Sequence, residues 1–242
     1  MARATSEHRS FEGALKARRK AFAELLEQCA SDLAAVEAKG DVTRRQQAAA
    51  EADGLAARLA GAEKEAAEIN AQEKMFGWPS TSYTHVARLC STLEPYVQLW
   101  SAINAFYDKH ATWMNGPFWK INAEEVEADT ADAARRLFKL TKMFGGSGGA
   151  EPKPIPLATA EEARARVAAF QAHVPLLAVI CNPGLRERHW EAIAEVAGFE
   201  IRKDEVTNLK RLLDNGIADH LNKLTEIGDA ASRQAVERAC SP

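Results

Sequence analysis

Four groupings in this sequence have the residue types of reactive or ligand-binding sites. The run Gly145-Gly146-Ser147-Gly148-Gly149, with Lys153 downstream, has the composition of a phosphate-cradling loop. Such a loop needs a hydrophobic strand before it, the spacing GxxxxGK[ST], and a helix straight after, so that backbone N–H groups and the lysine converge on phosphate. Here a helical pattern precedes the glycines, Pro152, Pro154 and Pro156 follow them, and neither Ser nor Thr follows Lys153. Nucleotide binding is not expected there. The histidines at 8, 85, 110, 173, 189 and 220 form neither an HExxH pair nor a ligand set with cysteine, which argues against zinc. Glu124, Glu125, Glu127 and Asp129 could supply a general acid and base, but at the start of a helix they first of all complement its positive end. No GxSxG or Ser/His/Asp arrangement is present. The expectation is a chain with no catalytic residue, no cofactor-binding residue and no metal ligand.

The fourth grouping, Arg186-Glu187-Arg188-His189-Trp190, has two readings. In one, Trp190 packs in a bundle, His189 caps a helix or bonds a carbonyl, and the arginines pair with acidic neighbours. In the other, Arg186, Arg188 and His189 form part of a docking surface, since Arg and Trp are enriched at interfaces. The sequence leaves both open.

The elements that would position these groups are helices. Of 242 residues, 46% are hydrophobic and 27% charged, an ordinary globular balance. The net charge of −3 gives no support to a nucleic-acid partner. No apolar run approaches the ~18 residues that span a bilayer, and the first residues lack the apolar core of a secretory signal. Four scattered cysteines, never CxxC, fit a reduced, intracellular protein.

Residues 11–75 read as a helical arm with coiled-coil character. Leu15, Phe22, Cys29 and Val36 recur every seven residues, Leu26 and Leu33 fill the seam, and Arg19 interrupts it. Gly40-Asp41-Val42-Thr43 looks like a break. A second seam runs through Leu55, Leu59, Ala62, Ala66 and Ile69, too poor in side-chain volume to be stable alone. A hairpin, one long helix leaning on something else, a self-dimerising coiled coil, or disorder in isolation all fit. Unbroken, the arm would approach 100 Å at ~1.5 Å per residue.

After the Phe76-Gly77-Trp78-Pro79 boundary, a helix from about Ser82 or Thr84 carries Val86, Leu89, Leu93, Val97, Trp100, Ile103 and Tyr107, with a kink or break expected at Pro95. A second begins at the Asn122 cap, with Glu125 as box-like partner, and buries Val126, Ala133, Leu137, Leu140 and Phe144. Residues 145–158 then read as a flexible loop with an extended proline spacer, followed by a helix from about Thr159. A short helix around Trp190 ends at Gly198, residues 199–201 could pair as a strand, and helices follow over 205–214 and from about Asp219. The stretch from Arg233 to Pro242 reads as truncated. The fold class expected is all-α: the arm, then consecutive helix bundles.

Two sharp turns punctuate these bundles. In Trp113-Met114-Asn115-Gly116-Pro117-Phe118, Gly116 permits positive φ and Pro117 cannot continue a helix. Asn182-Pro183-Gly184 repeats the device, with Pro183 expected near the first turn of the next helix. Trp78, Trp100, Trp113, Phe118 and Trp190 are the large anchors around them.

From Phe76 to about Arg238 the chain resembles the N-terminal part of the linker of dynein heavy chains, the axonemal ones especially. The landmarks are Phe76-Gly-Trp-Pro79, Leu93-Glu-Pro-Tyr96 with Leu99-Trp100, Trp113-Met-Asn-Gly-Pro-Phe118, Leu137-Phe-Lys-Leu140 with Phe144, Asn182-Pro-Gly-Leu185, Arg188-His-Trp190 and Thr225-Glu-Ile227. Ala134 stands where inner-arm-like linkers tend to place Trp, and the 145–149 run is longer and looser than usual. The resemblance implies a rod-like helical lever lying across an AAA+ ring and swinging between bent and straight forms during the ATP cycle. Residues 1–75 would be the distal end of the tail and 76–242 the linker-like domain. It implies the AAA+ ring and other dynein subunits, light intermediate chains among them, as partners. Microtubules would be engaged only indirectly, ATP and Mg only in the ring, and neither nucleic acid nor membrane at all. Location would be cytoplasm and cytoskeleton, in the axoneme of a cilium or flagellum. The alternative is a free-standing helical scaffold that uses the coiled-coil arm for partners.

Overall fold

A computed structural model describes residues 2–239. Every regular element among them is helical, and the one β-type contact is an isolated bridge between Pro117 and Asn208. The α-helices are α1 (Ala2–Glu37), α2 (Arg45–Met75), α3 (Thr84–Asn115), α4 (Ala123–Phe144), α5 (Pro154–Gln171), α6 (Val174–Ile180), α7 (Glu187–Ala197), α8 (Leu209–Asp214) and α9 (Leu221–Ala239). They fall into two compact units. One comprises the chain up to Ser101 together with Leu140–Ala160, the other Ala102–Lys139 and the chain from Glu161 onward.

In the first unit the arm is a hairpin. α1 stops at Glu37, Asp41 caps a short 3-10 turn by accepting the Thr43 amide (2.9 Å) and hydroxyl (2.6 Å), and α2 folds back along α1. All six α1 seam residues from Leu15 to Val36 and all five α2 seam residues from Leu55 to Ile69 are buried. Arg18 bridges Glu65 and Glu68 across the pair. The Ala-rich seam of α2 is covered from a third side. Leu15, Phe22, Leu26, Ala62, Ala66 and Ile69 form one cluster with Val86 of α3, and Tyr83 meets Phe22 edge-on at 5.0 Å. That shared core carries the unit past the 75/76 boundary expected between arm and bundle.

Glu73 continues the α2 seam and is fully buried. Its carboxylate accepts the Thr81 amide (2.7 Å) and hydroxyl (2.6 Å) and lies 3.2 Å from the Arg19 guanidinium. Burial pushes its pKa up, but the two Thr81 bonds and the Arg19 charge outweigh it and hold the carboxyl below the usual range. The residue that interrupts the α1 seam is thus matched by one hidden in the α2 seam, and the pair fastens the connector after α2. Trp78 lies half-buried on this connector, with Lys16 and Arg19 over its ring. Trp100 is wholly buried.

The helix through Pro95 is unbroken. Asn122 caps α4 as expected, accepting the Glu124 and Glu125 amides, and all five residues of its expected buried face are buried. The proline spacer is not extended. α5 begins at Pro154, so Pro154 and Pro156 sit in its first turn, where a missing N–H costs nothing. The exposed glycine run before it is closed by hydrogen bonds. The Gly145 amide bonds Thr141 O, Ser147 N bonds Lys142 O and Lys153 N bonds Phe144 O, with φ near +84° at Gly146, Gly148 and Gly149. Gly40 has no positive φ. A Cβ there would lie 2.9 Å from Ile155 Cγ2, and the Thr159 hydroxyl donates to Gly40 O, so the glycine lets α5 close on the hairpin tip.

Candidate partner-facing site

The second unit holds both sharp turns. α3 ends where the Asn115 side chain donates to Ala111 O (2.8 Å) and Gly116 N to Thr112 O (2.9 Å). Gly116 does not use positive φ. A Cβ would sit 2.8 Å from Thr112 O, so the position needs glycine for close backbone approach. Pro117 turns the chain out, and Phe118, wholly buried, starts a 3-10 turn.

In the other turn, the Asn182 Oδ1 accepts the Gly184 amide (2.8 Å), while its Nδ2 donates to Gly228 O (3.2 Å) and Ser232 Oγ (2.8 Å) of α9. Gly184 also lacks positive φ, and a Cβ there would meet Asn182 Oδ1 and Ala231 O at 3.1 and 3.2 Å. Pro183 is exposed in the turn, not in the first turn of α7, which begins only at Glu187.

The two turns meet. Phe118 packs on Trp190 at 5.9 Å between ring centroids, and Cys181 Sγ donates to Phe118 O (3.4 Å). Burial pushes the Cys181 thiol up to about 12, which keeps it protonated as that donor. A third segment locks them, one that sequence reading assigned to a strand at 199–201 and a helix from Glu205. Neither forms. Asp204 instead accepts the Val206 and Thr207 amides in a local turn, and α8 starts at Leu209 under the Asn208 cap. The segment so placed receives the first turn. Phe118 N bonds Thr207 O, Trp119 Nε1 bonds Asp204 O, and Lys120 pairs with Glu205 at 2.8 Å. Lys203 Nζ sits 4.8 Å over the Trp190 ring.

Trp113 is buried on the other flank, stacked on Phe170 at 5.2 Å with planes 14° apart, and His110 meets the same ring edge-on at 5.0 Å. Burial lowers the pKa of His110 and His173, so both stay neutral against these aromatics. His189 is buried as well: its Nδ1 accepts the Arg186 amide (3.0 Å) at the start of α7, and Nε2 faces Gln234 Oε1 at 3.2 Å. It serves the turn from inside and is not free to dock. Arg188 bonds Gln234 rather than an acidic neighbour, and Arg186, Glu187 and Arg188 are the exposed residues of the cluster.

Among the described residues no three His, Cys, Asp or Glu side chains group as a metal site, and no helix is long and apolar enough to cross a membrane. What the geometry makes is a set of loops braced by buried aromatics.

The family model described as dynein heavy chain, N-terminal region 2, matches residues 86–239, most of the chain and all of this site. The chain belongs to the dynein heavy chain family. It is 34% identical over 166 residues to dynein axonemal heavy chain 3 of Mus musculus, covering 69% of this chain and 4% of that one. It is 27% identical over 202 residues to mouse dynein axonemal heavy chain 1, covering 82% and 5%, and 27% over 203 residues to dynein axonemal heavy chain 12 of Rattus norvegicus, covering 82% and 6%. The chain thus spans about one-twentieth of the length of these relatives. A match of 82% cannot fit between residue 86 and the chain's end, so the likeness to these dynein heavy chains reaches back into the hairpin. The dynein resemblance of both turns, at 113–118 and 182–190, lies inside the matched region, where they form one cluster.

Proposed function

We propose that this chain is the N-terminal part of a dynein linker with its adjoining tail helices. It acts as a mechanical segment that couples ATP hydrolysis in an AAA+ ring to microtubule-based movement in a cilium or flagellum, without catalysis of its own. The observation that carries the reading is the meeting of Phe118 and Trp190, locked by Asp204 and Thr207. A segment that passes on force must not yield at its loops. Here three loops are tied by buried aromatic packing and by hydrogen bonds between stretches far apart in sequence. The family match and the axonemal names of the relatives support the same reading.

The test is made in an axonemal heavy-chain motor. Replacing its matching stretch with residues 86–239 should keep both ATP hydrolysis and microtubule gliding. Deleting that stretch should keep hydrolysis and abolish gliding. Unchanged gliding after the deletion overturns the lever role. Calorimetric titration of the chain itself with Mg-ATP should show no binding, and a micromolar affinity lost in Lys153→Ala would show that the glycine run binds nucleotide after all.

A further inference from the structure

At the open end of the hairpin, α1 and α2 leave a cleft of about 400 Å³. Its walls are Phe11, Ala14, Leu15 and Arg18 of α1, and Gln72 and Met75 of α2 with Phe76 just beyond. Both sets follow the i, i+3, i+4 spacing of a helix face, so the cleft runs along two helices and is open to a third. Phe11 is 65% exposed and Met75 85%, the most exposed large apolar side chains among the described residues together with Val206 and Val236. Elsewhere on this hairpin the seam is covered; here it stops short of its last two hydrophobic side chains.

The charges around the cleft are uneven. Arg18, Arg19 and Lys20 have carboxylates within 4 Å, in Glu65 and Glu68, Glu73, and Glu24. Arg9, Lys16 and Lys74 have no ion pair among the described residues, and Lys16 rests over the Trp78 ring. The carboxylates of Glu65, Glu68 and Glu73 are held by Arg18 and Arg19. With Glu12 of α1 set against Arg9, Lys16 and Lys74, positive charge still prevails beside this apolar floor, which selects an apolar ligand with acidic edges.

We propose that this cleft receives an amphipathic helix of another polypeptide. Its apolar face would rest on Phe11 and Met75 with the half-buried Phe76 beside them, and its Asp or Glu flanks would lie against Arg9, Lys16 and Lys74. Such helix-in-groove recognition takes its affinity from a few apolar anchors and its choice of partner from the flanking charges. The inference stands apart from the lever reading, since the cleft belongs to the hairpin and not to the braced turns.

The test uses the full chain and three synthetic helical peptides with the same leucine face: one with glutamate flanks, one with lysine flanks and one with the leucine positions scrambled. By fluorescence anisotropy the glutamate peptide should bind saturably and weaken with added salt. The lysine peptide should bind roughly tenfold or more weaker, and the scrambled one not at all. Phe11→Glu and Met75→Glu alter exposed side chains, so helicity by circular dichroism should hold while affinity for the glutamate peptide falls roughly tenfold or more. Equal binding of the glutamate and lysine peptides overturns the proposal, as does unchanged affinity in both variants. Concentration-dependent dimerisation that Met75→Glu abolishes would assign the cleft to a second copy of the chain and overturn it too.

Discussion

Phe118 and Trp190 close the gap between two turns that the sequence separates by α4, α5 and α6, their ring centroids 5.9 Å apart. Phe118 is the fully buried partner, whereas Trp190 is only half-buried under Lys203. Phe118→Ala should therefore cost ~3–5 kcal/mol, as large-to-small changes in a well-packed core do, and Trp113→Ala the same because it removes the ring stacked on Phe170. Trp190→Ala should cost less, about 1–3 kcal/mol. Urea unfolding of the three variants checks the order, and a Phe118→Ala cost below that of Trp190→Ala would contradict the burial seen here.

Glu73 makes the hairpin sensitive to acid. Its folded pKa lies below the ordinary 4.5, so the linked stability is complete above that value and is lost as pH falls through the depressed folded pKa. Glu73→Gln should flatten the stability profile below pH 4.5, and at neutral pH it should cost about 1–3 kcal/mol through the weakened Thr81 and Arg19 contacts. Thermal melts of both proteins across the acid range measure this. Parallel profiles would mean that the carboxylate is not the titrating group.

Glycines in this chain should respond in opposite senses to one added methyl group. Gly54 and Gly61 lie in α2 with open space at the Cβ position, and Gly→Ala there should stabilise by about 0.5–1 kcal/mol each. Gly116→Ala would place a methyl 2.8 Å from Thr112 O and should cost about 1–3 kcal/mol. Differential scanning calorimetry resolves the signs, and stabilisation by Gly116→Ala would rule out the close approach.

Limited proteolysis should open the chain first in the glycine run. Residues 147–151 are exposed, and Gly148 and Gly149 have positive φ with nothing near their Cβ positions. Proteinase K should yield fragments near residues 1–148 and 150–242. First cleavage within α4 or α3 would mean that the hydrogen bonds closing this loop protect it.

Much of the helical framework was legible because its signals are local. The α1 and α2 seams, the Asn122 cap and the Gly198 stop each follow from a few neighbouring residues. Pro154 and Pro156 misled because proline serves a helix start as well as it serves a spacer; here Leu157 N bonds Lys153 O and opens α5, while Lys153 N bonding Phe144 O fixes where it begins. The site was legible as parts. Each turn announced itself, but their meeting, and the Asp204 turn that locks them, rest on contacts far apart in sequence. Glu73 was the missed residue with a signal: it falls four positions after Ile69, on the apolar seam, and its charge concealed that register.

The bond from Thr159 to Gly40 bears on the order in which the chain folds. It joins positions 119 residues apart, whereas Arg18 finds Glu65 after 47. During synthesis, α1 and α2 can zip together as soon as both have left the ribosome, while the hairpin tip must wait until the whole of α3 and α4 has been made and α5 has begun. Until then the tip around Gly40 lacks its cover, a vulnerable interval set by translation speed. A slowed codon stretch before residue 159 would lengthen it.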